Sequence, residues 1–157
     1  MSENADRLVM KLKTGDVVIQ LRPDLAPLAA ERLRTLAAEG FYDGVKFHRV
    51  IEGFMAQSGD PTGTGTGGSH LPDLKAEFTR AAKFERGTVG MARTMNPDSA
   101  NSQFFIMFEP VPSLDGQYTI AGQVVSGMEH VDQIKRGSGS SGMVKDPDVI
   151  ESFRPEA

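Results

Sequence analysis

Phe47-His48-Arg49-Val50-Ile51-Glu52-Gly53-Phe54-Met55-Ala56-Gln57-Ser58-Gly59-Asp60 is the most informative stretch of the chain. In strand geometry alternate side chains share a face. Phe47, Arg49 and Ile51 therefore fall together. After a break at Gly53, Met55 and Gln57 share a face and Phe54 lies opposite. A bend at the glycine can still turn Phe54 toward a common groove. An arginine and a glutamine beside phenylalanine and methionine are an odd mixture for a core. Two readings stay open on spacing alone. The arginine can hold a buried carboxylate, with the glutamine at the surface, or both can work beside an apolar pocket. His48 reads as a structural histidine satisfied by a backbone partner rather than as a general base.

The flanks place this stretch in a β-rich chain. Leu8, Met10 and Leu12 alternate with Arg7, Lys11 and Lys13, which reads as a half-buried strand. Thr14-Gly15-Asp16 turns it into a second strand over 17–21, a hairpin. The period then changes. Asp24 can cap a helix and Pro27 suits its first turn. Leu28, Ala29, Leu33, Leu36 and Ala37 form one face, Glu31, Arg32, Arg34 and Glu39 the other, and Gly40 is the stop. Short strands follow over 46–51, 54–57, 88–92, 103–108 and 119–125. A short helix is expected over 128–135, with Val131 and Ile134 inward, and a last strand over 149–153 closes the sheet. The glycine- and serine-rich segment 137–142 reads as a surface loop without an assigned role. Many short strands with two helices favour a barrel or sandwich over a βαβ fold.

Composition bounds the chemistry. The 157 residues fit one domain, expected over 7–157 behind a polar, flexible N-terminus at 1–6. Apolar residues are 39% and charged residues 24%, a globular balance. There is no cysteine, which excludes disulfides, thiolate metal sites and a cysteine nucleophile. Tryptophan is absent too. The net charge of −4 argues against a nucleic-acid surface. No apolar run approaches the roughly 20 residues of a membrane helix. The polar start lacks a basic region followed by an apolar one, so a cytoplasmic protein is expected.

Several familiar patterns fail. Gly63-Thr64-Gly65-Thr66-Gly67-Gly68 spells G-x-G-x-x-G, but Pro72 blocks the helix that a dinucleotide site needs next. No Lys-Ser/Thr pair follows for a phosphate-cradling loop. The letters therefore read as a curved loop beside something that requires close backbone approach, their nucleotide-like spelling a coincidence. His48, His70 and His130 lack paired ligand spacing, so no metal is expected. No G-x-S-x-G elbow occurs.

Two further blocks stand out: Asn101-Ser102-Gln103-Phe104-Phe105-Ile106-Met107 and Ser113-Leu114-Asp115-Gly116-Gln117-Tyr118. Singly they could be a core strand and a turn. Together, in order, the blocks resemble the cyclophilin family of peptidyl-prolyl isomerases. Residues 47–60 resemble its FHR-x-I-x-GFM-x-Q-x-GD signature, 63–68 its GTGTGG loop, 99–106 the stretch ending in NSQFFI, and 114–116 its LDG turn. The similarity runs from the first hairpin through Gly127-Met128.

The resemblance implies a mainly β fold, a closed eight-stranded antiparallel barrel capped by two helices. It implies an isomerase that accelerates rotation about X-Pro bonds and assists protein folding, with no cofactor. Arg49 is the implied donor to the twisted amide, and Gln57 holds Arg49 or the rotating carbonyl. Phe54, Met55, Phe105 and Leu114 are the implied proline pocket. Ala92, Arg93 and Gln103 fall where the family binds peptide backbone and a neighbouring side chain. Partners would be proline-containing peptides and folding clients, met by a monomer. Three departures are visible. Ser113 replaces a tryptophan associated with tight cyclosporin binding, which puts that drug's affinity in question. Tyr118 replaces a pocket histidine and can serve as a wall. Arg93 replaces a frequent asparagine, so its backbone role survives while its side chain changes the groove.

Overall fold

In the computed structural model, residues 6–139 and 141–156 are described. Most of the expected flexible segment 1–6 lies outside them. The strands are β1 (Arg7–Leu12), β2 (Gly15–Leu21), β3 (Arg49–Ile51), β4 (Met55–Ser58), β5 (Thr88–Met91), β6 (Phe104–Met107), β7 (Ile120–Ser126) and β8 (Ser152–Pro155). The helices are α1 (Pro27–Ala38) and α2 (Met128–Val131). All eight strands join one antiparallel sheet in the order β3-β4-β6-β5-β7-β2-β1-β8.

Alternation decides which face is core. Val50, Ala56, Ile106 and Val89 lie opposite one another on successive strands and are fully buried. Leu8, Met10, Val17, Ile19 and Leu21 join them in the main cluster, with Leu33 and Leu36 of α1. Each such large side chain contributes about 1.5–3 kcal/mol by leaving water. The other face of β4 and β6 carries a smaller cluster, Met55, Phe105 and Met107, joined by Ile120 of β7 and by Phe84 before β5. The site lies over this second cluster.

The sheet curls, but its two end strands do not share a ladder. Residues 148–151 span the seam instead. Phe47 donates its N–H to the Asp148 carbonyl at 2.9 Å, Ile150 to Val45 at 2.9 Å, and Glu151 to Lys11 of β1 at 2.8 Å. The eight strands and two helices match the expected architecture, and the word "closed" overstates the seam. The ladder of β8 starts at Ser152, because Val149 is spent on a single bridge to Lys46. Phe47 and His48 precede β3 rather than belonging to it. Phe47 therefore escapes the alternation expected for it and is buried in the main core.

Helix α1 ends as the sequence predicts and begins differently. Gly40 has φ +77°, Phe41 donates to Leu36 and Gly40 to Ala37, the pairing of a left-handed glycine stop. Asp24 does not cap; its carboxylate takes the Arg22 guanidinium. The first-turn N–H groups of Leu28 and Ala29 are instead taken by the two Glu77 carboxylate oxygens, both at 3.0 Å. Two side chains also trade faces. Leu28 is exposed, and Arg32 is buried because its guanidinium donates to the carbonyls of Asn101 and Pro72, at 3.2 and 2.6 Å. Glu77→Ala is expected to lower stability by about 1 kcal/mol, the usual worth of a helix cap, and the melting temperature by about 2–4 °C. A thermal melt that does not move would remove Glu77 from that role.

Candidate active site

The register builds the site. Arg49 of β3 lies opposite Gln57 of β4, and Gln57 lies opposite Phe105 of β6. Phe105 lies opposite Gly90 of β5. Four strands thus give one row on the outer face: donor, amide, ring and gap. Gly90 must lack a side chain, since a Cβ there would sit 2.5 Å from the Phe105 ring.

Hydrogen bonds hold the polar half of the row. Arg49 Nη1 donates to Gln57 Oε1 at 3.2 Å, and Arg49 Nε donates to the Ser141 carbonyl at 2.8 Å. Gln57 Nε2 donates to Gln103 Oε1 at 2.9 Å. Gln103 Nε2 donates in turn to the carbonyls of Gly65 and Gly67, both at 3.0 Å. Arg49 Nη2 has no hydrogen-bond partner among the described residues. An arginine so placed is a fixed donor with one edge unspent.

Aromatic contacts hold the apolar half. The Phe105 ring stacks on Phe84 at 5.7 Å and meets Tyr118 edge-on at 5.7 Å and 89°. The Arg93 guanidinium covers Tyr118 at 4.5 Å and donates to the Gln117 and Thr94 carbonyls. A cavity of about 120 Å³ results, lined by Arg49, Phe54, Met55, Gln57, Ala92, Arg93, Phe105, Leu114 and Tyr118. These are nine of the ten residues singled out from the sequence. The tenth, Gln103, lines an adjoining polar cavity of about 470 Å³. Gln57, Ala92 and Arg93 border both cavities, so the two form one groove. The main-chain N–H and C=O of Arg93 make no hydrogen bond among the described residues.

The glycine loop is a curved segment whose backbone closes tightly on a carboxylate, where a Cβ on Gly67 would collide with Asp60 Oδ1. Its N–H groups wrap this anion. One oxygen of Asp60 accepts from the Thr62 N–H and hydroxyl at 2.8 and 2.7 Å. The other accepts from the N–H groups of Thr64, Gly65 and Gly67 at 3.1, 2.6 and 3.1 Å. Burial alone would push this carboxyl up. The hydrogen bonds from Thr62, Gly67 and Gly65 outweigh that and hold it well below the usual carboxylate range. Among the described residues, no three His, Cys, Asp or Glu side chains are placed to hold a metal ion.

His48 departs from its expected role. It is buried, and among the described residues neither ring nitrogen has a partner in good hydrogen-bond geometry. Burial pushes its pKa down, so the ring is neutral and takes no part in the row. Sequence reasoning missed the work of Asp60 and of Ser141, and gave the Arg93 side chain an effect on the groove without its seat over Tyr118. Asp60 had a signal, an acidic residue directly before a run of glycines. Ser141 had none, because its contribution is a main-chain carbonyl.

Residues 7–154 match a family model described as cyclophilin type peptidyl-prolyl cis-trans isomerase/CLD. The chain belongs to the cyclophilin family of peptidyl-prolyl cis-trans isomerases. A probable peptidyl-prolyl cis-trans isomerase of Brucella suis is 56% identical over 162 residues, covering 96% of this chain and 82% of that protein. A peptidyl-prolyl cis-trans isomerase of Helicobacter pylori is 42% identical over 147 residues, covering 91% and 82%. A cyclophilin type isomerase of Cryptosporidium parvum, crystallised in the presence of the dipeptide Ala-Pro, superimposes with a TM-score of 0.89. It is 31% identical, covering 96% of this chain and 99% of that chain. This cyclophilin is thus an isomerase with the expected mainly β fold. Among its described residues no helix is long and apolar enough to cross a membrane.

Proposed function

We propose that this cyclophilin accelerates X-Pro rotation in folding protein clients by aiming Arg49 at the proline nitrogen of a twisted amide. The barrier is about 18–20 kcal/mol, because rotation breaks amide resonance. No bond to a nucleophile is made. As the amide twists, its nitrogen regains a lone pair, and a donor placed there favours the twisted form over either planar one. Arg49 lines the cavity beside Phe105 while its Nη2 makes no hydrogen bond among the described residues, and this is the observation that carries the reading.

The remaining parts support it. Phe105, with Phe54, Met55, Leu114 and Tyr118, offers the proline ring an apolar seat, so the ring stays while the preceding carbonyl swings. Gln57 has both amide ends engaged, which favours a holding role on Arg49 over capture of the carbonyl. The unpaired main chain of Arg93 can match a substrate backbone without reading its side chains. The Ala-Pro dipeptide used with the Cryptosporidium relative supports proline-containing peptides as ligands. We take residues 7–157 as one working unit.

A binding module would hold the same peptides without turnover. Exchange spectroscopy on an Ala-Pro-containing peptide separates the two. With catalytic amounts of protein, cis–trans cross-peaks are expected at mixing times where the free peptide shows none, because uncatalysed exchange takes tens to hundreds of seconds. Shifted signals without faster exchange would leave a binder only.

A further inference from the structure

Residues 137–139, 141 and 142 line neither cavity, yet the main chain at Gly137 and Gly142 is fastened to Val50 of β3. Gly137 donates its N–H to the Val50 carbonyl at 2.8 Å, and Val50 donates its own N–H to the Gly142 carbonyl at 2.8 Å. Val50 thus spends both main-chain groups on the open edge of the sheet. Met143 adds single bridges to Arg49 and Ser138. Between these anchors the Ser141 carbonyl accepts from Arg49 Nε. Both glycines are needed for this approach. A Cβ on Gly142 would collide with Ile51, and its φ is +72°. A Cβ on Gly137 would collide with the Gly142 carbonyl.

We propose that the segment anchored at Gly137 and Gly142 is a positioning element for the isomerase reaction: the Ser141 carbonyl locks Arg49 Nε while Gln57 locks Nη1, leaving Nη2 as the edge presented to the proline nitrogen. This rests on Arg49 being the donor. A free arginine samples many rotamers, and ordering it in each turnover would add to the barrier. Two acceptors on different edges fix the plane of the guanidinium before substrate arrives. A single acceptor would leave it free to swing about that bond.

The test combines one spectrum with one mutant cycle. In the unaltered protein the Arg49 Nε–H signal, identified by its loss in Arg49→Lys, should exchange with water more slowly than the other arginine signals. In Gly142→Ala that protection should fall, with kcat down about tenfold and KM for the Ala-Pro peptide unchanged, as expected for one misaimed donor. In the Arg49→Lys background Gly142→Ala should change kcat no further, since lysine has no Nε–H to lock. Gly137→Ala displaces the same carbonyl from the other side and replaces Gly142→Ala if that variant fails to fold. Fast exchange of the Arg49 signal in the unaltered protein, or a folded glycine variant with unchanged kcat, overturns the positioning role. So does a loss that persists undiminished beside Arg49→Lys. If Arg49→Lys itself keeps full activity, the donor reading fails, a result distinct from all of these.

Discussion

Arg49→Ala is expected to lower kcat/KM for an X-Pro peptide by about 10²–10³, the usual loss when one transition-state donor is removed. The loss should fall on kcat. Phe105, Phe54 and Leu114 keep their contacts in the variant, so KM for the Ala-Pro peptide should move little. Stability should also move little, within about 1 kcal/mol, because Gln57 Oε1 and the Ser141 carbonyl can turn to water once the guanidinium is gone. Arginine keeps its charge at any ordinary pH, and the buried His48 stays neutral. Turnover should therefore be flat from about pH 7 to 9, where a histidine acid or base would give a slope. Line-shape or exchange measurements of cis–trans interconversion across that range read both quantities. Near wild-type kcat in a folded Arg49→Ala protein would remove the donor from the mechanism.

What sequence could show depended on where the chemistry sits. Arg49 and Gln57 stood out as an odd pair among apolar residues at strand spacing, but their roles and that of Phe105 came from the ordered blocks' resemblance to the cyclophilin family, and pairing brings the three into one row. The groups that hold them were not legible. The carbonyls of Ser141, Gly65 and Gly67 belong to the main chain, and every residue carries one. The cap of α1 was illegible for a related reason. Glu77 lies on a distant loop, while a local candidate, Asp24, stood at the expected place. Arg32 shows a polar residue drawn inward by carbonyls that the helical period cannot reveal. Phe47 fails through a boundary: alternation was extended into a segment that turns inward before β3 begins.

The glycine loop leads to the second large expectation. Asp60→Asn keeps size and shape but replaces one accepting oxygen with an NH₂ group. Whichever way the amide turns, it sets N–H against N–H. Turned one way it faces the Thr62 donors, and turned the other it faces those of Thr64, Gly65 and Gly67. Hydrogen bonds to a charged group are worth about 1.5–3 kcal/mol each, and an amide recovers only part of them, so a net loss of about 3 kcal/mol is expected at neutral pH. For a chain of this size that lowers the melting temperature by about 6–12 °C. The pH dependence has a fixed sign. Asp60 is held below its unfolded pKa of about 3.9, so its stabilisation is complete above roughly pH 4. It is lost as pH falls through the lower folded value. The gap between wild type and Asp60→Asn should thus be widest near neutrality and narrow in acid. Function should follow the loop. Without the carboxylate, the Gly65 and Gly67 carbonyls no longer fix Gln103, Gln103 no longer fixes Gln57, and Arg49 keeps only its Ser141 anchor. A fall in kcat smaller than that of Arg49→Ala is expected, with the Phe105 seat intact. Melts of both proteins from neutral to acid pH decide the matter. Equal melting temperatures at neutrality, or a gap that ignores pH, would mean that the glycine loop does not depend on the anion it encloses.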